Sequence, residues 1–282
     1  MGSARTALGA TRPGKDVVVD GVRLAYDDAG AGPALVCLHA IGHGARDFVP
    51  LTERIGAGRR VIALDWPGHG SSADDREPPF AARYEALLAG FLDALGVERA
   101  TLLGNSIGGA AALRFAAHSP ARVQALVLVD PGGLDKGGVL ARVVPAAMAR
   151  FFDAGARGAR WYPAAFAAYY RLVLPRASER RARIVAAARE SAAVLAQAWR
   201  GFAEPDADVR ALAERVCCPT LVAWAKGDRI NQLSRCRPAL QRFANARLEI
   251  FSGGHAPFLE DLDAFAPVLE AFLRETERVD TA

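Results

Sequence analysis

Thr101-Leu102-Leu103-Gly104-Asn105-Ser106-Ile107-Gly108-Gly109-Ala110-Ala111-Ala112-Leu113-Arg114-Phe115-Ala116-Ala117 carries the most informative local pattern in the chain. A short apolar run, a serine flanked by glycines and a run of strong helix formers follow one another without a gap. The order predicts a strand, a sharp turn and a helix that ends near His118-Ser119-Pro120. A bare G-x-S-x-G string arises by chance, but strand, turn and helix together are the setting that a nucleophile-presenting turn requires. Ser106 would be held in a strained backbone conformation that lifts its hydroxyl above the strand ends. Gly104 and Gly108 would keep side chains out of the space where strand and helix approach. The Ile107 amide, at a helix N-terminus, would point at a developing oxyanion.

On either side of this stretch the chain alternates short apolar runs with longer helix-like segments, which predicts a largely parallel sheet covered by helices. The runs are Ala34–Leu38, Val61–Leu64, Thr101–Leu103, Ala125–Val129, Thr220–Trp224 and Leu248–Phe251. Upstream of them, Val17–Val19 and Val22–Tyr26 flank Asp20-Gly21, a strong hairpin signal that brings the expected strands to eight. After Asp130-Pro131-Gly132-Gly133 the strand signal stops, and an Ala/Arg-rich text with aromatics at helical spacing continues to about Pro205. The expected organisation is a flexible leader over 1–15, a first core part over 16–132, a helical insertion over 133–205 and a second core part over 206–282.

Together these features resemble the α/β-hydrolase superfamily, over about residues 16–275. The resemblance implies a mostly parallel eight-stranded sheet flanked by helices, with the insertion as a helical cap. It also implies a Ser, Asp, His order along the chain. Trp224-Ala225-Lys226-Gly227-Asp228 and Gly253-Gly254-His255-Ala256-Pro257-Phe258-Leu259-Glu260 match the acid and histidine positions, so the implied triad is Ser106, Asp228 and His255. Serine is a poor nucleophile until a neutral imidazole takes its proton; His255 would do this and Asp228 would fix its tautomer. Asp130 also ends an apolar run, where some hydrolases of this fold carry their acid, and it remains the alternative. The second oxyanion donor is implied at the Ile41 amide, in His39-Ala40-Ile41-Gly42-His43-Gly44, where Ala40 replaces an expected glycine. His39 is expected to bond loop backbone and His43 to line the pocket. Asp65-Trp66-Pro67-Gly68-His69-Gly70-Ser71-Ser72 resembles the family's turn after the fourth strand, a fold signature more than a source of chemistry.

Serine at the turn argues against the dehalogenases and epoxide hydrolases of this fold, which use a carboxylate nucleophile, and leaves acyl transfer. Hydrolysis of a small or medium carboxylic ester or lactone is the leading expectation. The alternative is C–C bond hydrolysis in vinylogous diketones from aromatic-ring breakdown (meta-cleavage products), whose enzymes have a similar Gly-Asn-Ser-Ile-Gly-Gly phrase. Those relatives often carry a tryptophan soon after the histidine, where this chain has Ala256-Pro257-Phe258. A non-catalytic ligand-binding protein of this fold is the reading of another class; such proteins commonly have a broken triad, and here all three positions are filled. Trp161, Tyr169 and Trp199 are candidate substrate contacts within an aromatic set that includes Tyr162, Phe166 and Tyr170, with cap core as the competing role.

Composition narrows the partners. The 282 residues are 51% hydrophobic and 23% charged, a globular balance that can bury a large core. Net charge is +4, yet no dense Lys/Arg tract is interleaved with aromatics, which argues against nucleic acid. Residues 133–205 hold twelve basic against five acidic residues, a surplus of seven, so the positive charge is concentrated in the insertion. Solvated helix faces and attraction of an anionic substrate both account for it. The four cysteines lack C-x-x-C spacing, and the five histidines lack an H-x-x-x-H pair, so neither metal nor cofactor is expected. The expected partner is a small acyl substrate. No signal-peptide or bilayer-length apolar run is present, and with the few cysteines this predicts a cytoplasmic protein.

Overall fold

The computed structural model describes residues 14–135 and 137–279. Most of the expected leader lies outside them, and Lys15 already opens the first strand. The elements in chain order are β1 (Lys15–Val19), β2 (Val22–Gly30), β3 (Ala34–Leu38), α1 (Val49–Ile55), β4 (Arg60–Leu64), α2 (Ala81–Ala94), β5 (Ala100–Asn105), α3 (Ile107–His118) and β6 (Val123–Val129). Four helices follow: α4 (Leu140–Ala156), α5 (Tyr162–Val173), α6 (Ser178–Ala186) and α7 (Ala192–Gly201). The chain then returns through β7 (Thr220–Ala225), α8 (Leu233–Leu240), β8 (Ala246–Phe251), the single turn α9 (Pro257–Glu260) and α10 (Leu262–Val279).

The eight strands form one sheet in the order β1-β2-β4-β3-β5-β6-β7-β8. The β1–β2 and β2–β4 pairs are antiparallel, and every later pair is parallel. The hairpin turns on Asp20 and Gly21, both at positive φ (49° and 76°), the backbone that suits the right-handed twist of paired strands. Continuous apolar runs become the central strands because helices cover both faces there: β5 is buried throughout, as are the last five residues of β6. The edge strands β1 and β8 are mostly exposed or half-buried. On one flank α2 turns Tyr84, Leu87, Leu88, Phe91 and Leu92 inward, the stripe of an amphipathic helix. At the other end of the chain α10 buries Phe265, Leu269, Phe272 and Leu273 in the same core.

Register carries this architecture to the site. Leu38 pairs with Gly104, Asn105 with Val129, Val129 with Ala223, and Ala225 with Phe251. The carboxyl ends of β3, β5, β6, β7 and β8 therefore lie along one edge of the sheet, where open α/β sheets gather their functional loops. The four cysteines are free thiols, Cys37 and Cys236 buried, Cys218 partly buried and Cys217 exposed. No helix among the described residues is long and apolar enough to cross a membrane.

The central strands set the stability. Leu102 in β5 is completely buried, and Leu102→Ala is expected to destabilise the protein by about 3 kcal/mol through lost transfer energy and a residual cavity. Urea unfolding monitored by circular dichroism checks this; a loss below about 1 kcal/mol would mean that the core collapses around the gap.

Candidate active site

Ser106 stands between β5 and α3 with φ 55° and ψ −116°, one of three non-glycine residues at positive φ among the described residues. Such a backbone costs roughly 1–3 kcal/mol and persists only where its surroundings over-determine it. Here the Ser106 amide donates to the Val129 carbonyl (3.1 Å), and the Ser106 carbonyl accepts from Ala110 (3.0 Å) and Gly132 (2.9 Å). Two glycines make room. A Cβ on Gly104 would lie 2.4 Å from the Gly108 carbonyl oxygen, and a Cβ on Gly108 would lie 2.4 Å from the Leu38 carbonyl oxygen. The turn is thus wedged against both its own helix and the end of β3.

Asp228 and His255 come from the loops after β7 and β8. His255 Nδ1 and Asp228 Oδ2 are 2.8 Å apart, both groups being buried. Asp228 Oδ1 accepts from the amides of Ile230 (2.7 Å) and Asn231 (3.1 Å), so the carboxylate is anchored by its own loop while its other oxygen faces the imidazole. Nδ1 must carry the proton in that pair, which leaves Nε2 as the basic nitrogen. Asn105 links this pair to the elbow: its Nδ2 donates to the carbonyls of His255 (3.0 Å) and Val129 (3.0 Å). The residue immediately before Ser106 therefore holds the backbone of His255. Asn105 stands inside the elbow sequence, but nothing local there marks its reach to a residue 150 positions away.

Asp130, the alternative acid, is completely buried after β6, and one of its oxygens accepts from the Ala225 amide (2.9 Å). Its carboxyl, that of Asp228 and a ring nitrogen of His255 lie within 4.8 Å of one another, forming among the described residues the one cluster of acidic and imidazole groups dense enough to ligate a metal. Asp228 and His255 already satisfy each other there. Burial and the Asp228 charge push the Asp130 carboxyl well above the ordinary range, against the pull of the Ala225 amide.

The Ile107 amide opens α3, where no helix carbonyl can reach it. In the loop after β3 the Gly42 amide donates to His69 Nε2 (2.9 Å) and the His43 amide to the Ala40 carbonyl (3.1 Å). Between Ala40 and Gly42, the Ile41 amide donates to no protein acceptor among the described residues. Two buried histidines set this loop. His39 contacts the Ala40 carbonyl through Nδ1 (2.7 Å) and accepts the Trp66 amide at Nε2 (2.9 Å), as expected of a backbone-bonding residue. His69 does the same between the Pro67 carbonyl (2.9 Å) and the Gly42 amide, so the signature turn after β4 also shapes the loop after β3. Asp65 completes the buttress by accepting the amides of Ala45 (2.7 Å) and Ser71 (3.0 Å).

The remaining candidates divide. His43 is held by Asp47 (2.5 Å), which also pairs with Arg183 of α6. It lines a cleft of about 460 Å³ beside the loop after β3, with Arg46, Asp65 and Arg183, and Ser106, Asp228 and His255 do not line that cleft. The Tyr169 ring stands against Phe152 (5.9 Å) and Tyr170 (5.4 Å), and burial and the Asp228 charge both raise its phenol. Trp199 is buried against Phe152 (ring centroids 6.3 Å) and Phe202 (5.3 Å), with Nε1 unpartnered among the described residues. Trp161 departs from the expectation: it is 53% exposed and rests on Phe151 and Tyr162, because it precedes the first turn of α5 rather than lying on its inner face. Tyr162, Phe166 and Tyr170 are buried and in ring contact with one another, as helix core.

Residues 35–268, from β3 into α10, match the Alpha/beta hydrolase family. The chain belongs to the alpha/beta hydrolase family. Within the family, an uncharacterized protein of Mycobacterium tuberculosis is 30% identical across 94% of this chain and 85% of its own. A 2-hydroxy-6-oxo-6-phenylhexa-2,4-dienoate hydrolase of Comamonas testosteroni is 43% identical, but over 39% of this chain and 40% of the relative. In three dimensions the chain is similar to a thermophilic esterase from Thermogutta terrifontis, with a TM-score of 0.79 and 23% identity over 93% of this chain and 99% of the other, a likeness of fold.

The buried histidine gives a pH test of this family site. Burial lowers His39 to about 4 from an ordinary 6.5. Between those values the unfolded chain binds a proton that the folded protein refuses, so stability is fully present above about 6.5 and falls as pH drops towards about 4. The expected loss is on the order of 3 kcal/mol. His39→Gln should lose this part of the slope in chemical denaturation run across that range, and an unchanged slope would assign the acid sensitivity elsewhere.

Proposed function

We propose that this protein is a serine hydrolase that cleaves a small or medium carboxylic ester or lactone through an acyl-enzyme, with Ser106 as nucleophile, His255 as base and Asp228 as its orienting acid. The observation that carries the reading is the buried 2.8 Å Asp228–His255 hydrogen bond, tied through Asn105 to a serine in a strained strand-to-helix turn.

Each group has a task that its surroundings suit. Asp228 fixes the Nδ1–H tautomer, so Nε2 of His255 takes the Ser106 proton as Oγ attacks the carbonyl carbon. The resulting oxyanion is received by the amides of Ile107 and Ile41, and the Ile107 amide gains from the positive end of α3. Collapse breaks the bond to the leaving oxygen, which receives the proton back from His255. Water then attacks the acyl-Ser106 by the same sequence in reverse, giving the free acid and the resting hydroxyl. The triad side is dry: Ser106 is 8% exposed, and Asp228 and His255 are buried. In low dielectric each of these charge interactions is stronger than in water.

The helices of residues 133–205 act as the cap. Support comes from three joints: the His255 amide donates to the Val173 carbonyl of α5 (2.8 Å), Glu260 accepts the Arg176 amide (2.6 Å), and Arg183 pairs with Asp47. Tyr169 and Trp199 are the cap residues to shape the acyl site, the first through its closeness to Asp228 and the second through its unpartnered indole N–H. Part of the arginine surplus joins helices: Arg200 pairs with Asp153, and Arg181 bonds the Leu174 and Pro175 carbonyls at the end of α5.

A second reading, C–C bond hydrolysis, is favoured by one observation, the 43% identity with the dienoate hydrolase over 39% of the chain. One panel separates the two: nitrophenyl esters of increasing acyl length, lactones and a ring-fission dienoate, each run with wild type and Ser106→Ala. Turnover of esters or lactones that Ser106→Ala abolishes while the fold is kept is the expected result. Turnover confined to the dienoate moves the assignment to the second reading, and undiminished turnover by Ser106→Ala removes the nucleophile altogether. Asp228→Asn is expected to lose about 10³–10⁴-fold in kcat.

A further inference from the structure

Beside the Asp228–His255 pair lies a carboxyl that the mechanism above does not use. Asp130 is fully buried; Oδ1 accepts the Ala225 amide at 2.9 Å, while Oδ2 is buried with no hydrogen-bond partner among the described residues. A carboxylate oxygen left in that state would forfeit its hydration with nothing in return. Yet an oxygen of Asp130, one of Asp228 and a ring nitrogen of His255 lie within 4.8 Å of one another. The backbone holds the carboxyl there at some cost, since Asp130 has φ 42°, and Asn231 Nδ2 clamps its carbonyl at 2.9 Å.

We propose that Asp130 is a positioning residue, kept as the neutral carboxylic acid, whose Oδ2–H donates to the carboxylate of Asp228, so that two buried carboxyls place a single negative charge beside His255. The catalytic consequence rests on the serine-hydrolase reading; the protonation state does not. Asp228 has room for the bond. It accepts the Ile230 and Asn231 amides on Oδ1 and His255 on Oδ2, three donors for about four lone-pair sites.

The groups around Asp130 all favour the acid form except the Ala225 amide. Asp228 faces it from the loop after β7 and Glu260 from α9, both as negative charges that raise it together with burial. The other titratable groups at this end of the sheet are His255, Tyr169 of α5 and Cys236 of α8; the neutral forms of the last two are favoured by burial, with the charge of Asp228 for Tyr169 and those of Asp135 and then Asp228 for Cys236. Charge counting then gives the function. Two ionised carboxylates against one imidazole would favour the imidazolium, which cannot take the Ser106 proton. One shared charge leaves His255 free to be neutral at rest and still stabilises the cation formed during attack. The proton on Asp130 stays through the whole cycle, so no step gains or loses it.

The test is isotope-edited infrared spectroscopy of the resting full-length protein at neutral pH, with aspartate labelled at its side-chain carboxyl. The expected result is a protonated-acid C=O stretch that is absent from Asp130→Asn and displaced in Asp228→Asn, where an amide replaces the accepting carboxylate. A wild-type spectrum with every aspartate ionised overturns the proposal. If Asp130→Asn does not fold, the displacement in Asp228→Asn alone decides, and a band that it leaves in place also overturns the proposal. Kinetics give a second arm. Asp130→Ala, which removes the donor, should lose about tenfold in kcat at constant KM, and Asp130→Asn, whose amide can both accept from Ala225 and donate to Asp228, should recover most of it. The acid limb of kcat/KM in Asp130→Asn should coincide with wild type; a move to lower pH by about a unit or more would mean that a charge had been removed, and would falsify the neutral acid. Failure of Ser106→Ala to abolish turnover would overturn the serine-hydrolase reading alone, because the infrared band reports the proton on Asp130 in any folded protein.

Discussion

Most of this architecture depends on one backbone conformation, the positive φ of Ser106. A side chain in that region is stable only when hydrogen bonds on both sides of the residue hold it, and the bonds to Val129, Ala110 and Gly132 come from β6, α3 and the loop beyond β6. Those partners exist because β5 and β6 are parallel neighbours in a register that aligns Asn105 with Val129. The close approach at Gly104 and Gly108 then draws the end of β3, at Leu38 and His39, against the turn. A shift in the pairing of β5 would lose the turn and its neighbouring donors together.

The same logic explains why so many polar groups at the strand ends are buried. Each loop is a short, sharply bent segment whose amides cannot join the sheet ladder, and orphaned amides in a dry environment cost stability. Histidine and carboxylate side chains serve them instead. His39 serves Trp66, His69 serves Gly42, Asp65 serves Ala45 and Ser71, and Asp228 serves Ile230 and Asn231. Neutral imidazole suits this task because it offers one donor and one acceptor across a rigid ring. The proposed catalytic histidine differs in using only one ring nitrogen for structure, which leaves the other for chemistry.

Strands and elbow were legible in the sequence because their signals are local. Apolar runs bounded by Gly, Pro, Asp or His mark each strand, and the Asp20-Gly21 hairpin names its own turn type. Choosing between Asp130 and Asp228 was not a local question: Asp130 directly follows β6, Asp228 stands three residues beyond β7, and only the fold shows which carboxylate meets His255. The partners of His43 were not legible: Asp47 stands four residues on, and the Arg183 contact that completes the group spans 136 residues. The role of Glu260, inside the histidine motif, was not legible because the amides that donate to it, those of Arg176 and Ala177, lie in the insertion. The exposure of Trp161 was not legible for a simpler reason: periodicity assigns faces only inside a helix, and Trp161 precedes α5.

The connections of Glu260 bear on how substrate choice would reach the chemistry. Its carboxylate takes the Gly254 amide on one oxygen and the Arg176 and Ala177 amides on the other, so one side chain joins the histidine loop to the link between α5 and α6. The His255 amide adds a direct bond to Val173, and Arg176 reaches Ser252 at 2.7 Å. A helical layer tied to the base at these points cannot move relative to the core without straining the loop that positions His255. The helical layer over 133–205 and the residue proposed to move the proton are therefore mechanically one unit, and Arg176 and Arg183 help to hold it together through Ser252 and Asp47.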